Sequence, residues 1–194
     1  MRRLDLVVGS NGAGKTTFVT RRLQPLLIES VFVNADVIAA EEWPDAAAEH
    51  SYEAARIAAR MRTTLITLGE SFIAETVFSH KSKLDLIEEA LRHDYTVILH
   101  VMLVPEELTV ERVRQRVLEG GHLVPEDKIR ERYHRLWDLV AIAITRCDSA
   151  TVYDNSAADI TRIVARFSEG EAVGTVAWPR WTPAPLRDRW PSTS

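Results

Sequence analysis

The chain has 194 residues, 46% of them hydrophobic and 27% charged, a balance suited to one α/β domain with a full core. Its net charge of −4 argues against nucleic acid as a partner, and its single cysteine, Cys147, excludes an internal disulfide and a cysteine-based zinc site. No apolar run reaches the roughly 18 residues of a membrane span and no signal-peptide core is present, so the expectation is a cytoplasmic protein with no membrane partner.

Leu4–Val8 is an apolar run with the length and Val/Leu content of a buried strand. It leads into Gly9, Ser10, Asn11, Gly12, Ala13, Gly14, Lys15 and Thr16, which match G-x-x-x-x-G-K-[ST], the phosphate-binding P-loop. Its glycines let the backbone turn and approach a ligand, and its N–H groups form an anion nest at a helix N-terminus. Lys15 is placed to reach the β- and γ-phosphates of ATP, Thr16 to bind Mg²⁺, and Thr17 is a candidate α-phosphate contact. A helix follows, with Phe18, Arg22, Leu26 and Leu23, Leu27 at helical spacing.

Residues 31–36 read as a second short strand ending in Asp36, and 37–50 as a loop or short helix broken at Trp43-Pro44. From Ser51, the spacing of Ala54, Ile57, Ala58, Met61, Leu65 and Leu68 predicts a helix that Gly69 ends. Ser71–Thr76 is a third strand, ending in Glu75-Thr76; Ser79 is a candidate cap for a helix bearing Leu84, Ile87, Ala90 and Leu91. Tyr95–Val104 is the fourth and most apolar strand. Pro105-Glu106-Glu107 starts a helix that Gly120-Gly121 stops, and Pro125-Glu126-Asp127 starts a longer one. Ala150–Tyr153 is a fifth strand, Asn155 or Ser156 caps a last helix with Ile160, Ile163, Val164 and Phe167, and an edge strand is expected near Val173–Trp178.

This alternation predicts a P-loop NTPase of the α/β class, adenylate-kinase-like: a five-stranded parallel sheet with helices on both faces and a helical lid. Residues 1–170 form the expected kinase domain, with the lid at about 112–135; residues 171–194, rich in Trp, Pro and Arg, form a tail packed on it or partly disordered. Ligands in such sheets sit at the carboxyl ends of the strands, so the P-loop, Asp36 and Glu75 are expected to share one crevice.

Asp36 suits a general base for an incoming hydroxyl and also suits a helix N-cap. Glu75 suits a carboxylate that holds Mg²⁺ through water or binds the acceptor, and also one bonded to loop amides. The fourth strand ends without an acid, so Asp36 or Glu75 must serve the metal. Residues 112–135 are dense in cations, the pattern of a lid that closes over phosphates, with Arg116, Arg130 and Arg132 its candidate charge clamp. The same residues also suit a solvated face paired with nearby glutamates. His122 is a candidate phosphate or acceptor contact, and Asn155 either reads a base edge or caps a helix.

Gly9–Thr17 (GSNGAGKTT), Asn34–Asp36 (NAD), Phe72–Ser79 (FIAETVFS), Arg112–Arg132 (RVRQRVLEGGHLVPEDKIRER) and Val152–Ser156 (VYDNS), in this order and spacing, resemble the zeta-toxin-like P-loop kinases. The resemblance covers residues 4 to about 156. It implies an ATP- and Mg²⁺-dependent kinase acting on a small-molecule hydroxyl, in the toxins that of UDP-N-acetylglucosamine, a UDP-sugar. It further implies Asp36 as the base, Glu75 and Thr76 at the acceptor or metal shell, and Lys15 with lid arginines as the charge clamp. A small antitoxin-like protein is the implied partner. The chain departs from the toxins where His122-Leu123 precede Val124-Pro125, the place of their pre-helix arginine. Two other readings stay open: a kinase for another acceptor (a sugar, an antibiotic or a polynucleotide end) and a non-transferring ATPase or switch held by a partner protein. No N-K-x-D guanine motif and no LSGGQ signature occurs.

Overall fold

The computed structural model describes residues 2–118, 124–157 and 160–193. It is an α/β P-loop NTPase fold built on a mostly parallel sheet. The strands are β1 (Arg3–Gly9), β2 (Val31–Val33), β3 (Phe72–Thr76), β4 (Thr96–Leu103), β5 (Ser149–Asp154), β6 (Arg162–Ser168) and β7 (Glu171–Ala172). They lie in the order β2-β3-β1-β4-β5-β6-β7. The first five are parallel; β6 runs antiparallel to β5, and β7 antiparallel to β6.

β1 is the middle one of the five parallel strands, with Leu6 in register with Ala74 on one side and Leu99 on the other. Successive side chains of a strand point to opposite faces. Leu4, Leu6 and Val8 accordingly enter the larger core, with residues of α3 (Ser51–Leu68), α4 (Ser82–Arg92) and α6 (Glu126–Ile144). Val7 enters the other, packed against Phe18, Val19 and Leu23. The strands that flank β1 are almost wholly buried, which is why they read as continuous apolar runs. Gly69, in left-handed conformation at φ 76°, ends α3.

The sheet has seven strands where the sequence pattern predicts five. The predicted last helix is the antiparallel strand β6. A register shift against β5 at Val152/Tyr153 buries the consecutive residues Val164 and Ala165, and this break in strict alternation makes the apolar spacing look helical. Asn155 and Ser156 therefore cap no helix there. The edge strand expected near 173–178 is instead the two residues of β7, with Ala177 donating to Val164 O (2.8 Å) beyond it.

Ser79 does not cap α4, whose first amide, that of Ser82, donates to His80 Nδ1 instead (3.2 Å). After the P-loop, helix α1 (Lys15–Phe18) passes into a π-helix, Val19–Leu23, and Leu26 is exposed rather than buried. Val176, Leu186 and Trp190 belong to the larger core, and the Trp190 indole donates to Gly170 O (3.1 Å). No described helix is long and apolar enough to cross a membrane.

Candidate active site

Gly9 ends β1 where a Cβ would stand 2.6 Å from the Met102 carbonyl of β4, so the turn into the loop needs a residue without a side chain. The loop is held from outside as well. The Asn155 amide donates to Ala13 O (2.8 Å) and accepts from the Thr161 hydroxyl (2.8 Å). Ser10 and Thr109 share a hydroxyl hydrogen bond (2.9 Å), and Arg112 reaches Gly12 O (3.4 Å) and Ser156 O (3.3 Å). Thr109 and Arg112 lie on α5 (Glu106–Leu118).

Lys15 is buried, and its ammonium donates to Ser10 O (2.9 Å). Burial lowers its pKa; Glu75 and Asp36 pull the other way, and Arg116 adds to the lowering. The Thr16 hydroxyl donates to the Glu75 carboxylate (2.9 and 3.1 Å), as does the Asn34 amide (2.8 Å). Burial raises the Glu75 pKa, against the pull of Lys15, Thr16 and Asn34. Asn34 has a second duty: its side-chain oxygen caps α2 (Ala35–Glu42) by accepting from the Asp36 amide (2.7 Å). One asparagine thereby ties the end of β2, the start of α2 and the carboxylate of β3 together. Asp36 is exposed in the first turn of α2, and Asn34 rather than Asp36 is the cap.

These groups face one cleft of about 510 Å³ at the carboxyl ends of the central strands. Of the residues singled out from sequence, Asn11, Gly12, Gly14, Lys15, Thr16, Thr17, Asp36, Glu75, Thr76, Arg116 and Arg132 line it. Arg130 does not. Its guanidinium is paired with Glu106, Glu107 and Glu126 (2.7–3.1 Å) on an ion-paired helix surface. Asn155 faces an adjoining cleft of about 500 Å³ with Thr17, Phe18, Arg21, Arg22 and Arg112, its amide engaged on the loop. His122 lies outside the described residues.

Arg62 and Lys83 also line the main cleft, although neither was singled out from the sequence. Arg62 continues the stripe Ala55-Ala58 on α3, and that interruption of a small-residue face by a cation is the one available signal. Phe78 is another surprise. It is fully buried with φ 63°, a strained conformation for an aromatic residue, and it anchors the loop that brings Val77 and Ser79 to the cleft wall.

Hard oxygen donors suit Mg²⁺, which takes one or two carboxylates with substrate phosphates rather than a protein cage. Thr16 and Glu75, already in contact, fit that demand, with Asp36 on the same cleft. No cluster of three or more His, Cys, Asp or Glu side chains suited to a metal occurs among the described residues.

A family model described as an AAA domain matches residues 4–137. No curated protein matches the chain in sequence. Among solved structures, a chain of the AvrRxo1-ORF1:ORF2 complex with ATP aligns with TM-score 0.70 at 20% identity, covering 89% of this chain and 60% of that one. The PezAT chromosomal toxin–antitoxin system of Streptococcus pneumoniae aligns with TM-score 0.59 at 14% identity, covering 83% and 71%. A putative kinase from Chloroflexus aurantiacus aligns with TM-score 0.50 at 16% identity, covering 70% and 79%. These likenesses establish a P-loop kinase-like fold. This chain spans 60% of the length of the AvrRxo1 complex chain it matches.

Proposed function

The chain belongs to the AAA-domain family of P-loop proteins, and from that premise we propose that it is an ATP-dependent phosphotransferase acting on a hydroxyl of a small molecule. The observation that carries this reading is the meeting of Lys15, Thr16, Asp36 and Glu75 in one cleft with arginines from α5 and α6. The acceptor oxygen attacks the γ-phosphorus, the bond to the β–γ bridging oxygen breaks, and ADP leaves. Asp36 takes the hydroxyl proton; its carboxylate accepts no protein hydrogen bond among the described residues and so is free to do so.

Lys15 exchanges the Ser10 carbonyl for phosphate oxygens, and Arg116 and Arg132 neutralise charge that develops on the transferred group. Mg²⁺, held by Thr16 and through water by Glu75 or Asp36, supplies further neutralisation of the phosphates when bound. Asn34 positions Glu75 and the first turn of α2 together, so the base and the metal-side carboxylate keep a fixed spacing. In this reading the lid at about 112–135 closes over the phosphates, residues 1–170 act as the kinase domain and residues 171–194 as its packed tail.

UDP-N-acetylglucosamine is the first acceptor to try. A zeta-type reading also draws on the fold shared with the PezAT system, in which case a small antitoxin-like protein is the partner in the cytoplasm. The test is Asp36→Asn against Lys15→Ala. Asp36→Asn should bind MgATP as the wild type does and lose transfer by about 10²- to 10⁴-fold; Lys15→Ala should lose productive ATP use outright. If Asp36→Asn transfers phosphate at the wild-type rate, Asp36 is not the base and the reading fails.

A further inference from the structure

The cleft holds more positive charge than a nucleotide site requires. Among the described residues, six cations line it (Lys15, Arg62, Lys83, Arg112, Arg116 and Arg132) against two carboxylates, in a chain of net charge −4. Lys15 and the lid arginines are gathered at the P-loop. Arg62 and Lys83 are not: they come from α3 and α4, on the wall formed with Ala55, Ala58, Val77 and Ser79.

We infer that Arg62 and Lys83 form a subsite for an anionic group, a phosphate or a carboxylate, carried by the acceptor molecule beside its reacting hydroxyl. Both are partly buried, and neither side chain has a hydrogen-bond or ion-pair partner among the described residues. Two partly buried arginines outside the cleft are ion-paired, Arg3 with Asp5 and Arg130 with three glutamates, whereas Arg112 and Arg132, which line the cleft as Arg62 does, have no carboxylate partner among the described residues. Burial lowers the pKa of both groups, and Arg62 lowers that of Lys83 further, so the two cations are close enough to repel. Two unpaired, mutually repelling cations cost stability unless an anion joins them.

The wall is built to hold a ligand. The alanines at 55 and 58 leave room one and two turns before Arg62, and buried Phe78 fixes the 77–79 loop on the other side. A planar guanidinium beside an ammonium suits an oxyanion with several acceptor oxygens. The consequence is selectivity: a neutral hydroxyl compound of the same shape leaves both cations unpaired.

The inference rests on the kinase reading for what the subsite does, but not for its existence. Isothermal titration of inorganic phosphate, and separately of acetate, into protein saturated with MgAMPPNP reads the subsite alone. At least one of the two anions should bind the wild type. In Arg62→Gln/Lys83→Gln that binding should weaken about ten- to hundredfold, with MgAMPPNP affinity unchanged within about twofold, which also reports that the variant is folded. Arg62→Lys, which keeps the charge, should retain most of it. Equal anion binding in wild type and double variant, or none of either anion in the wild type, overturns the subsite. Failure of MgAMPPNP itself to bind overturns the kinase reading instead, and the difference in anion binding between the two proteins still decides the subsite.

Discussion

Gly14→Ala couples the phosphate loop to a residue 141 positions away. Gly14 sits at φ 82°, and a Cβ there would stand 2.4 Å from the Asn155 amide nitrogen. The left-handed backbone alone costs a residue with a side chain about 1–2 kcal/mol. Asn155 must also move, and moving it breaks its bonds to Ala13 O and to Thr161, each about 0.5–1.5 kcal/mol. The sum is about 2–5 kcal/mol for Gly14→Ala. Asn155→Ala removes the same two bonds and should cost about 1–3 kcal/mol. The double variant no longer has a clash to relieve, so it should be less destabilised than the sum of the singles by about 1–3 kcal/mol. Urea unfolding of the four proteins measures that cycle. Strict additivity would refute the claim that Asn155 braces the loop by direct contact.

Glu75→Gln should remove a pH dependence of stability that the wild type carries, and its direction is defined. The folded-state pKa of Glu75 lies above its ordinary 4.5 because burial outweighs Lys15, Thr16 and Asn34, so the native state binds its proton more tightly than the unfolded chain. The wild type therefore loses stability as pH rises from 4.5 through the folded value. Thermal melts should show the variant gaining on the wild type across that window and not below it; a constant difference at all pH values contradicts the assignment. Trp190→Ala should cost about 3–5 kcal/mol in urea unfolding, since it removes a buried ring packed on Phe167 at 4.7 Å and the donor to Gly170. A cost under about 1 kcal/mol would mean that the tail is dispensable to the core.

The P-loop and the strands that flank it were legible because both signals are local: glycine spacing for the loop, and unbroken apolar runs for strands buried on both faces. The crevice that joins Asp36 to Glu75 followed from the rule that ligands sit at strand carboxyl ends. What local patterns do not carry is pairing across the chain. Arg130 looked equivalent to Arg132, yet only their neighbours distinguish them: three glutamates hold the first, and the second faces the cleft. Arg62 and Lys83 reach the cleft because of how α3 and α4 pack against the sheet, which neither helix shows on its own. β6 was misread because a bulge disturbed the alternation that identifies a strand.

The central claim is transfer of the γ-phosphate to a hydroxyl, and the direct measurement is γ-labelled MgATP incubated with UDP-sugars, free and phosphorylated sugars, aminocyclitols and 5′-hydroxyl oligonucleotides. The account predicts label on one class of acceptor, and none in Lys15→Ala. Label released only as free phosphate, whichever acceptor is present, would contradict it and leave an ATPase.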